Sequence, residues 1–138
     1  MRIFQIGFNR CGTRTLSRFF RDNGLQTVHW DEGRLARRLF YNLEEGRPLI
    51  DGYADRDVFT DMEMLTSKVY LEGYKLFPIL ARENPDATFI LNTRDRERWI
   101  QSRLAHGAGN YLQRYMHAHD LDSETGVIRH WTASWERS

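Results

Sequence analysis

The sequence predicts an α/β protein in which helices cover both faces of a mostly parallel central sheet, giving three layers, α/β/α. Two observations lead to this prediction. Short apolar segments of strand character alternate along the chain with segments of helical periodicity. A glycine-bearing loop also joins the first strand directly to the first helix. With 138 residues, of which 41% are hydrophobic and 28% charged, the chain is expected to form one globular domain over 1–138.

The first half of the chain contains five predicted elements. They are a strand over 2–7, a helix over 13–23, an extended segment over 25–30, a helix over 31–45 and a short strand over 58–61. The first helix has its apolar residues at Leu16, Phe19 and Phe20, and Asn23-Gly24 is a typical helix end. The residues between 47 and 57 are rich in turn formers and are expected to connect the second helix to the next strand.

The second half predicts a helix over 67–83, a strand over 87–93, a helix over 95–106, a looser segment over 107–121 and a helix over 124–138. The segment Ala87–Thr93 is apolar on both faces, which is typical of a buried parallel strand. Ligands of such sheets bind beyond the carboxyl ends of the strands. We therefore expect the loops after the first strand, near Asp61 and after Thr93 to form one site.

The loop after the first strand departs from the ATPase pattern in an informative way. Gly7 and Gly12 have the spacing of G-x-x-x-x-G-K-[ST], but Thr13 and Arg14 stand where Lys and Ser/Thr should be. The hydroxyl that holds Mg²⁺ and the lysine that reaches the outer phosphates are both missing from their positions. Arg10 and Arg14 instead supply positive charge beside a helix N-terminus, which favours anions. The alternative is an ordinary turn with two surface arginines.

Composition excludes several classes of function. A net charge of +1 argues against broad nucleic-acid binding, and a single cysteine, Cys11, excludes a disulfide framework or a thiolate zinc site. The spacing of the histidines does not fit a metal site, so no metal is expected. The sequence contains neither a signal peptide nor an apolar run long enough to span a bilayer, so we expect a cytoplasmic protein without stable membrane insertion.

A second candidate anchor lies after the strand predicted over 87–93. Arg94 stands where that strand ends, and Ser102 follows eight residues later, two turns into the next predicted helix. An arginine and a hydroxyl placed in this way can contact one phosphate from two sides. In the alternative interpretation, Asp95 caps the helix, and Arg94, Arg96 and Arg98 are solvated surface charges.

These two motifs resemble those of sulfotransferases that use 3′-phosphoadenosine-5′-phosphosulfate (PAPS). The segment Gly7-Phe8-Asn9-Arg10-Cys11-Gly12-Thr13-Arg14-Thr15-Leu16 is similar to the 5′-phosphosulfate loop of that superfamily, and most similar to the G-F-x-R-x-G-T-x-S-L form of a bacterial-type branch. The family's 3′-phosphate motif has an arginine after a buried strand and a serine eight residues later. Arg94 and Ser102 match that spacing.

The resemblance implies a P-loop NTPase-like core, similar to adenylate kinase, and transfer of a sulfuryl group from PAPS to a hydroxyl or amine without a metal. The product of the donor would be 3′,5′-ADP (PAP). The implied cofactor-binding residues are Asn9, Arg10, Cys11, Gly12, Thr13, Arg14, Thr15, Arg94 and Ser102. Arg10 takes the position of a catalytic lysine found in many members. Because arginine does not readily lose a proton, electrostatic stabilisation is the role expected of it.

Three residues are candidates for the general base that activates the acceptor. Glu32 follows Arg10 at a spacing similar to that of the catalytic glutamate in some glycan sulfotransferases. His29 has the more suitable intrinsic pKa, and Asp61 ends a predicted strand and resembles the acceptor-side segment of the family. The structural alternatives are that Asp31 or Glu32 begins a helix and that His29 packs under Trp30.

The resemblance leaves the acceptor open among small molecules, lipids and glycans. The family often has a later Gly-rich or basic segment and a further strand, and neither follows Ser102. We therefore expect a truncated or abbreviated member, for which a homo-oligomer would be one route to activity. Two other functions compete with the sulfotransferase: a non-catalytic nucleotide- or anion-binding protein of the same fold, and a small-molecule kinase dependent on Mg²⁺-ATP.

Overall fold

The computed structural model describes residues 1–138, which divide into two compact units. The first comprises Met1–Met64 and Leu71–Thr93, and the second comprises Leu65–Tyr70 and Arg94–Ser138. The strands are β1 (Ile3–Gln5), β2 (Thr27–His29), β3 (Val58–Thr60), β4 (Glu63–Leu65), β5 (Tyr70–Glu72) and β6 (Thr88–Ile90). The helices are α1 (Thr13–Asp22), α2 (Arg34–Glu44), α3 (Phe77–Glu83), α4 (Arg96–Ala105), α5 (Asn110–Ala118) and α6 (Glu124–Glu136). Short 3₁₀ helices cover Asp31–Gly33, Gly73–Leu76 and His106–Gly109.

A four-stranded sheet in the order β2-β3-β1-β6 forms the centre of the first unit. Every neighbouring pair is parallel, with Phe4 opposite both Phe59 and Phe89, and Val28 opposite Phe59. The helices lie between the strands along the chain, as parallel connections require. The prediction of an α/β fold with a mostly parallel central sheet is therefore confirmed.

The core of the first unit forms on the sheet face that carries Phe4. The Phe4 ring stacks on Phe59 at 4.8 Å and on Phe89 at 5.4 Å between centroids. Leu35 and Leu39 of α2, both fully buried, belong to the same cluster. Their spacing of four residues places both on one side of α2, so that a single stripe of the helix is apolar.

The helix predicted over 13–23 is confirmed as α1, but its apolar residues are not the ones that it buries. The residues that α1 buries are Thr13 and Ser17, whereas Phe19 is 58% exposed. α1 packs against β2 and β3. Small side chains such as these allow a helix backbone to approach its neighbours closely. The face of α1 that lies against the sheet is therefore the face with Thr13 and Ser17, although Leu16, Phe19 and Phe20 are more apolar.

The helix predicted over 67–83 is also wrong in its first half. Residues 63–72 form a two-stranded sheet of β4 and β5. The Thr66 hydroxyl accepts hydrogen bonds from the N–H groups of Lys68 and Val69, which stabilises the turn between the strands. α3 begins only at Phe77, with Pro78 in its first turn, where proline is well tolerated.

The strand predicted over 87–93 is shorter and less buried than expected. β6 covers Thr88–Ile90 and lies at the edge of the sheet. Thr88 is exposed and Leu91 is 67% exposed, so the segment is not buried on both faces. The apolar run predicts strand character correctly, but the position of a strand within a sheet depends on its pairing with distant segments.

The second unit is built around an aromatic core. Trp99 and Trp131 are fully buried, and the Arg103 guanidinium lies over their rings at 4.4 and 5.0 Å. Tyr111 and Tyr115 of α5 are buried in the same unit, so the looser segment predicted over 107–121 is wrong: most of it is helical. The helix predicted over 124–138 is confirmed as α6, which ends at Glu136.

Candidate active site

The loop between β1 and α1 presents a helix N-terminus with no internal cap. Gly12 occupies the N-cap position with φ 79°, a conformation that glycine adopts without strain. No side chain caps this end of α1, and its first turn contains no acidic residue. The first N–H groups of a helix have no partner within the helix, so this end of α1 is suited to an anionic ligand.

The loop is held against the end of β6. The Asn92 side-chain nitrogen donates a hydrogen bond to the backbone oxygen of Cys11. Gly7 lies so close to Asn92 that a Cβ atom at Gly7 would collide with the Asn92 backbone oxygen. A glycine is therefore required at position 7 for close approach, and the loops after β1 and β6 meet, as the sheet topology predicts.

The side chains of the loop differ in how far they are exposed to solvent. Asn9, Cys11 and Thr13 are buried, Arg10 is half-buried with φ 62°, and Arg14 is exposed. Thr15 is also exposed. Arg10, Arg14 and Thr15 are therefore the side chains named here that reach the surface of the loop. Their assignment as cofactor-binding residues stays a prediction.

Gln5 connects the loops around this edge of the sheet, and sequence reasoning missed it. Its side chain is buried, and its nitrogen donates to the Gly7 backbone oxygen at 2.8 Å and to Asn92 Oδ1 at 2.6 Å. Its oxygen accepts a hydrogen bond from the Asp61 backbone N–H at 3.0 Å. The available signal was an amide inside an otherwise apolar strand, because a buried amide requires partners for its donors and acceptor.

His29 and Asp61 lie side by side at the ends of adjacent strands. His29 ends β2, and its Nδ1 is 2.9 Å from the Thr60 hydroxyl. Its Nε2 is 3.8 Å from Asp61 Oδ2, and each of these two side chains is 19% exposed. Asp61 follows β3 with φ 52°, an uncommon conformation for a residue other than glycine. The structure thus brings together two of the three predicted general bases.

Burial lowers the pKa of His29, and the positive charges of Arg14 and Arg21 lower it further. The imidazole is therefore neutral at pH 7 and able to accept a proton. This electrostatic coupling also relates His29 to α1, which carries both arginines. A neutral histidine that interacts electrostatically with arginines of α1 is suited to accept a proton.

Glu32 has different surroundings from His29 and Asp61. Its side chain is 73% exposed and lies 3.3 Å from Arg34. The preceding Asp31 accepts hydrogen bonds from Arg34 at 2.7 Å and from the Tyr53 hydroxyl at 2.7 Å, and these bonds hold the pKa of Asp31 below its usual range. The alternative that these acids begin a helix is close to what is observed, since a 3₁₀ turn at Asp31–Gly33 leads into α2. Trp30 is 42% exposed.

Arg94 and Ser102 both belong to the second unit. Arg94 is exposed and lies just before α4, and Ser102 is half-buried within that helix. The Asp95 side chain accepts a hydrogen bond from the Arg98 N–H at 3.1 Å and caps α4, so this part of the structural alternative is confirmed. Arg96 pairs with Glu97 and Glu136. Binding of a 3′-phosphate by Arg94 and Ser102 stays a prediction.

A family model described as a sulfotransferase domain matches residues 2–138. The chain belongs to the sulfotransferase family. The match extends over nearly the whole sequence, including the loop, His29, Asp61 and the Arg94–Ser102 segment. A comparison with curated proteins found no match.

Two general features complete the description of this sulfotransferase domain. No group of three or more histidine, cysteine, aspartate or glutamate side chains is arranged to hold a metal ion. None of the helices combines the length and the apolar character that a bilayer crossing would need.

Proposed function

We propose that this sulfotransferase domain transfers a sulfuryl group from PAPS to a hydroxyl or amine acceptor, with the 5′-phosphosulfate bound at the N-terminus of α1. The observation that supports this most is the placement of a neutral His29 within electrostatic reach of an uncapped, arginine-bearing phosphate loop. Family membership supports sulfuryl transfer in general. The donor, the acceptor class and the roles of individual residues belong to the proposal.

The loop fits a phosphosulfate in its chemistry. The first-turn N–H groups of α1 have no side-chain cap, and no acidic residue stands in that turn. In this proposal they bind the phosphosulfate, and Arg10 and Arg14 offset its negative charge. In this proposal, PAPS supplies an activated sulfuryl group on a phosphate leaving group. Arg10 and Arg14 stabilise the charge that develops on the leaving phosphate, and neither has to give up a proton.

His29 is the general base in this proposal. When Nδ1–H donates to the Thr60 hydroxyl, Nε2 carries the lone pair, and the 3.8 Å between Nε2 and the Asp61 carboxylate leaves both groups accessible to an acceptor O–H or N–H. Nε2 accepts the acceptor proton as the acceptor atom bonds to sulfur and the bond from sulfur to the phosphate oxygen breaks. The Asp61 carboxylate then stabilises the imidazolium.

We further propose that Arg94 and Ser102 bind the 3′-phosphate, as their match to the family motif implies. The acceptor is a small molecule, lipid or glycan, the protein acts in the cytoplasm, and self-association is a route to full activity. The 3′-phosphate contacts and the acceptor class rest on the sequence resemblance, and the location and the self-association are expectations from the sequence. Glu32, exposed and paired with Arg34, is the weakest of the three general-base candidates.

The first experiment is isothermal titration with 3′,5′-ADP, 5′-AMP and Mg²⁺-ATP, each repeated in EDTA. We expect binding of 3′,5′-ADP that is tighter than that of 5′-AMP and unaffected by EDTA, followed by release of 3′,5′-ADP from PAPS in an acceptor screen. Binding of Mg²⁺-ATP that is tighter than that of 3′,5′-ADP would contradict the proposal and indicate a small-molecule kinase. Binding of 3′,5′-ADP without turnover of PAPS by any acceptor class would favour a non-catalytic nucleotide-binding protein.

A further inference from the structure

A second cationic site lies in the first unit, on the outer side of α2. A cavity of about 520 Å³ is lined by Arg34, Arg37, Arg38, Tyr41, Gly52 and Tyr53. None of these residues belongs to the phosphate loop or to the His29–Asp61 pair. The volume lies within the range of small-molecule sites, roughly 300–1,000 Å³. It is too large for a single inorganic ion and suits an organic ligand.

The charge of the cavity is concentrated and only partly neutralised. The four lining residues of α2 stand at positions i, i+3, i+4 and i+7 and therefore share one side of the helix. Arg34 is paired with Asp31 and Glu32, whereas Arg37 and Arg38 form no ion pair. Asp51, next to Gly52 in the chain, is paired with Arg47. The whole chain carries a net charge of only +1. The two unpaired guanidinium groups therefore concentrate positive charge at this cavity.

Arg38 is exposed and lies close to two of the other lining residues. Its guanidinium lies 5.8 Å from the centre of the Tyr41 ring. It also lies against Gly52, where a Cβ atom would be only 2.8 Å from Arg38 Nε. A side chain at position 52 would displace the guanidinium. Gly52 has φ 95°, a conformation suited to glycine, so the chain here accommodates both the turn and the arginine.

Tyr53 lines the cavity, and its hydroxyl already donates a hydrogen bond to Asp31. Burial raises the pKa of Tyr53 to about 12, and the hydrogen bond from its hydroxyl to Asp31 adds to this effect. The hydroxyl therefore stays protonated under all ordinary conditions. The rings of Tyr41 and Tyr53 add apolar surface to the lining of the cavity.

We propose that this cavity binds a small organic molecule with two or more oxyanion groups, such as carboxylates or phosphates, through Arg37 and Arg38. Guanidinium groups bind planar and tetrahedral oxyanions with paired hydrogen bonds, and two of them in one cavity favour a ligand with more than one anionic group. The site is separate from the phosphate loop and does not depend on the proposed transfer reaction.

The test is an NMR titration of the full chain with citrate and, separately, with inorganic pyrophosphate, at constant ionic strength. We expect saturable shifts at the amides of Arg34–Tyr41, Gly52 and Tyr53. The double variant R37Q/R38Q should weaken binding at least tenfold. The control R82Q/R129Q removes two exposed arginines of α3 and α6 and should change the affinity less than twofold. The two probes distinguish a carboxylate from a phosphate ligand.

Three results would overturn the proposal: shifts that rise linearly without saturation, shifts confined to residues 7–15, or equal weakening in both double variants. The spectrum of each variant reports whether it is folded. The binding of 3′,5′-ADP, measured on R37Q/R38Q, should equal that of the unmodified chain. A failed cavity and a failed phosphate loop are therefore distinguished in the same samples.

Discussion

The side-chain oxygen of Gln5 accepts a hydrogen bond from the backbone N–H of Asp61 at 3.0 Å. This bond joins the last residue of β1 to the residue that follows β3. It lies at the carboxyl ends of these strands, where the candidate site is. The same side chain donates to Gly7 and to Asn92. One buried amide therefore joins the loop after β1 to the backbone of the aspartate that lies beside His29.

Replacing Gln5 with alanine should destabilise the fold. Each buried polar group left without a partner costs about 1–3 kcal/mol, and the substitution removes the partner of the Asp61 N–H and of Asn92 Oδ1. We expect the free energy of unfolding to fall by about 3 kcal/mol, measured by urea denaturation. The control Gln26→Ala, at an exposed position of the same unit, should change it by less than about 0.5 kcal/mol. Equal effects of the two substitutions would contradict the role of Gln5.

Replacing His29 with glutamine should remove the base and leave much of the fold intact. We expect kcat/KM to fall roughly 10²- to 10⁴-fold in a PAPS-dependent assay. In the unmodified domain, kcat/KM should rise with pH through the lowered pKa of His29 and be constant by pH 7, because only the neutral imidazole accepts a proton. His117→Gln, at an exposed histidine of α5, is the control. An unchanged pH profile in the His29 variant would exclude histidine as the base.

The positive charge of Arg14 should have a measurable effect on the pKa of His29. Since Arg14 lowers the pKa of His29, Arg14→Gln should raise that pKa, whereas Arg18→Gln, one turn further along α1, should leave it nearly unchanged. The measurement is an NMR titration of the His29 ring protons. A pKa that is the same in both variants would mean that the loop and the histidine are not electrostatically coupled.

Arg94→Ala should weaken the binding of ligands with a 3′-phosphate and leave 5′-AMP binding nearly unchanged. Loss of charge-assisted hydrogen bonds worth about 1.5–3 kcal/mol corresponds to roughly a 10- to 100-fold lower affinity for 3′,5′-ADP. Arg98→Ala, at an exposed arginine of the first turn of α4, is the matched control. Equal losses for the two ligands would remove Arg94 from the proposed role.

The first strand, the glycine-bearing loop after it and the first helix could be predicted from sequence because their signals are local. The apolar run before Gly7 and the Asn23-Gly24 helix end lie within a few residues of the structure they specify. The hairpin at 63–72 and the exposure of Phe19 could not be predicted in this way. An apolar pattern at 69–74 fits helix and strand alike, and partners distant in the chain decide between them.

The sequence by itself determined the fold class, and it supplied the set of three general-base candidates. Only the tertiary structure separated those candidates. It placed His29 beside Thr60 and Asp61, and Glu32 beside Arg34 on an exposed surface. The physical reason is that the pKa of a side chain and its hydrogen bonds depend on burial and on charges brought close by folding. Arg14 and His29 are fifteen residues apart in the sequence, and the sheet and α1 bring their charges into interaction.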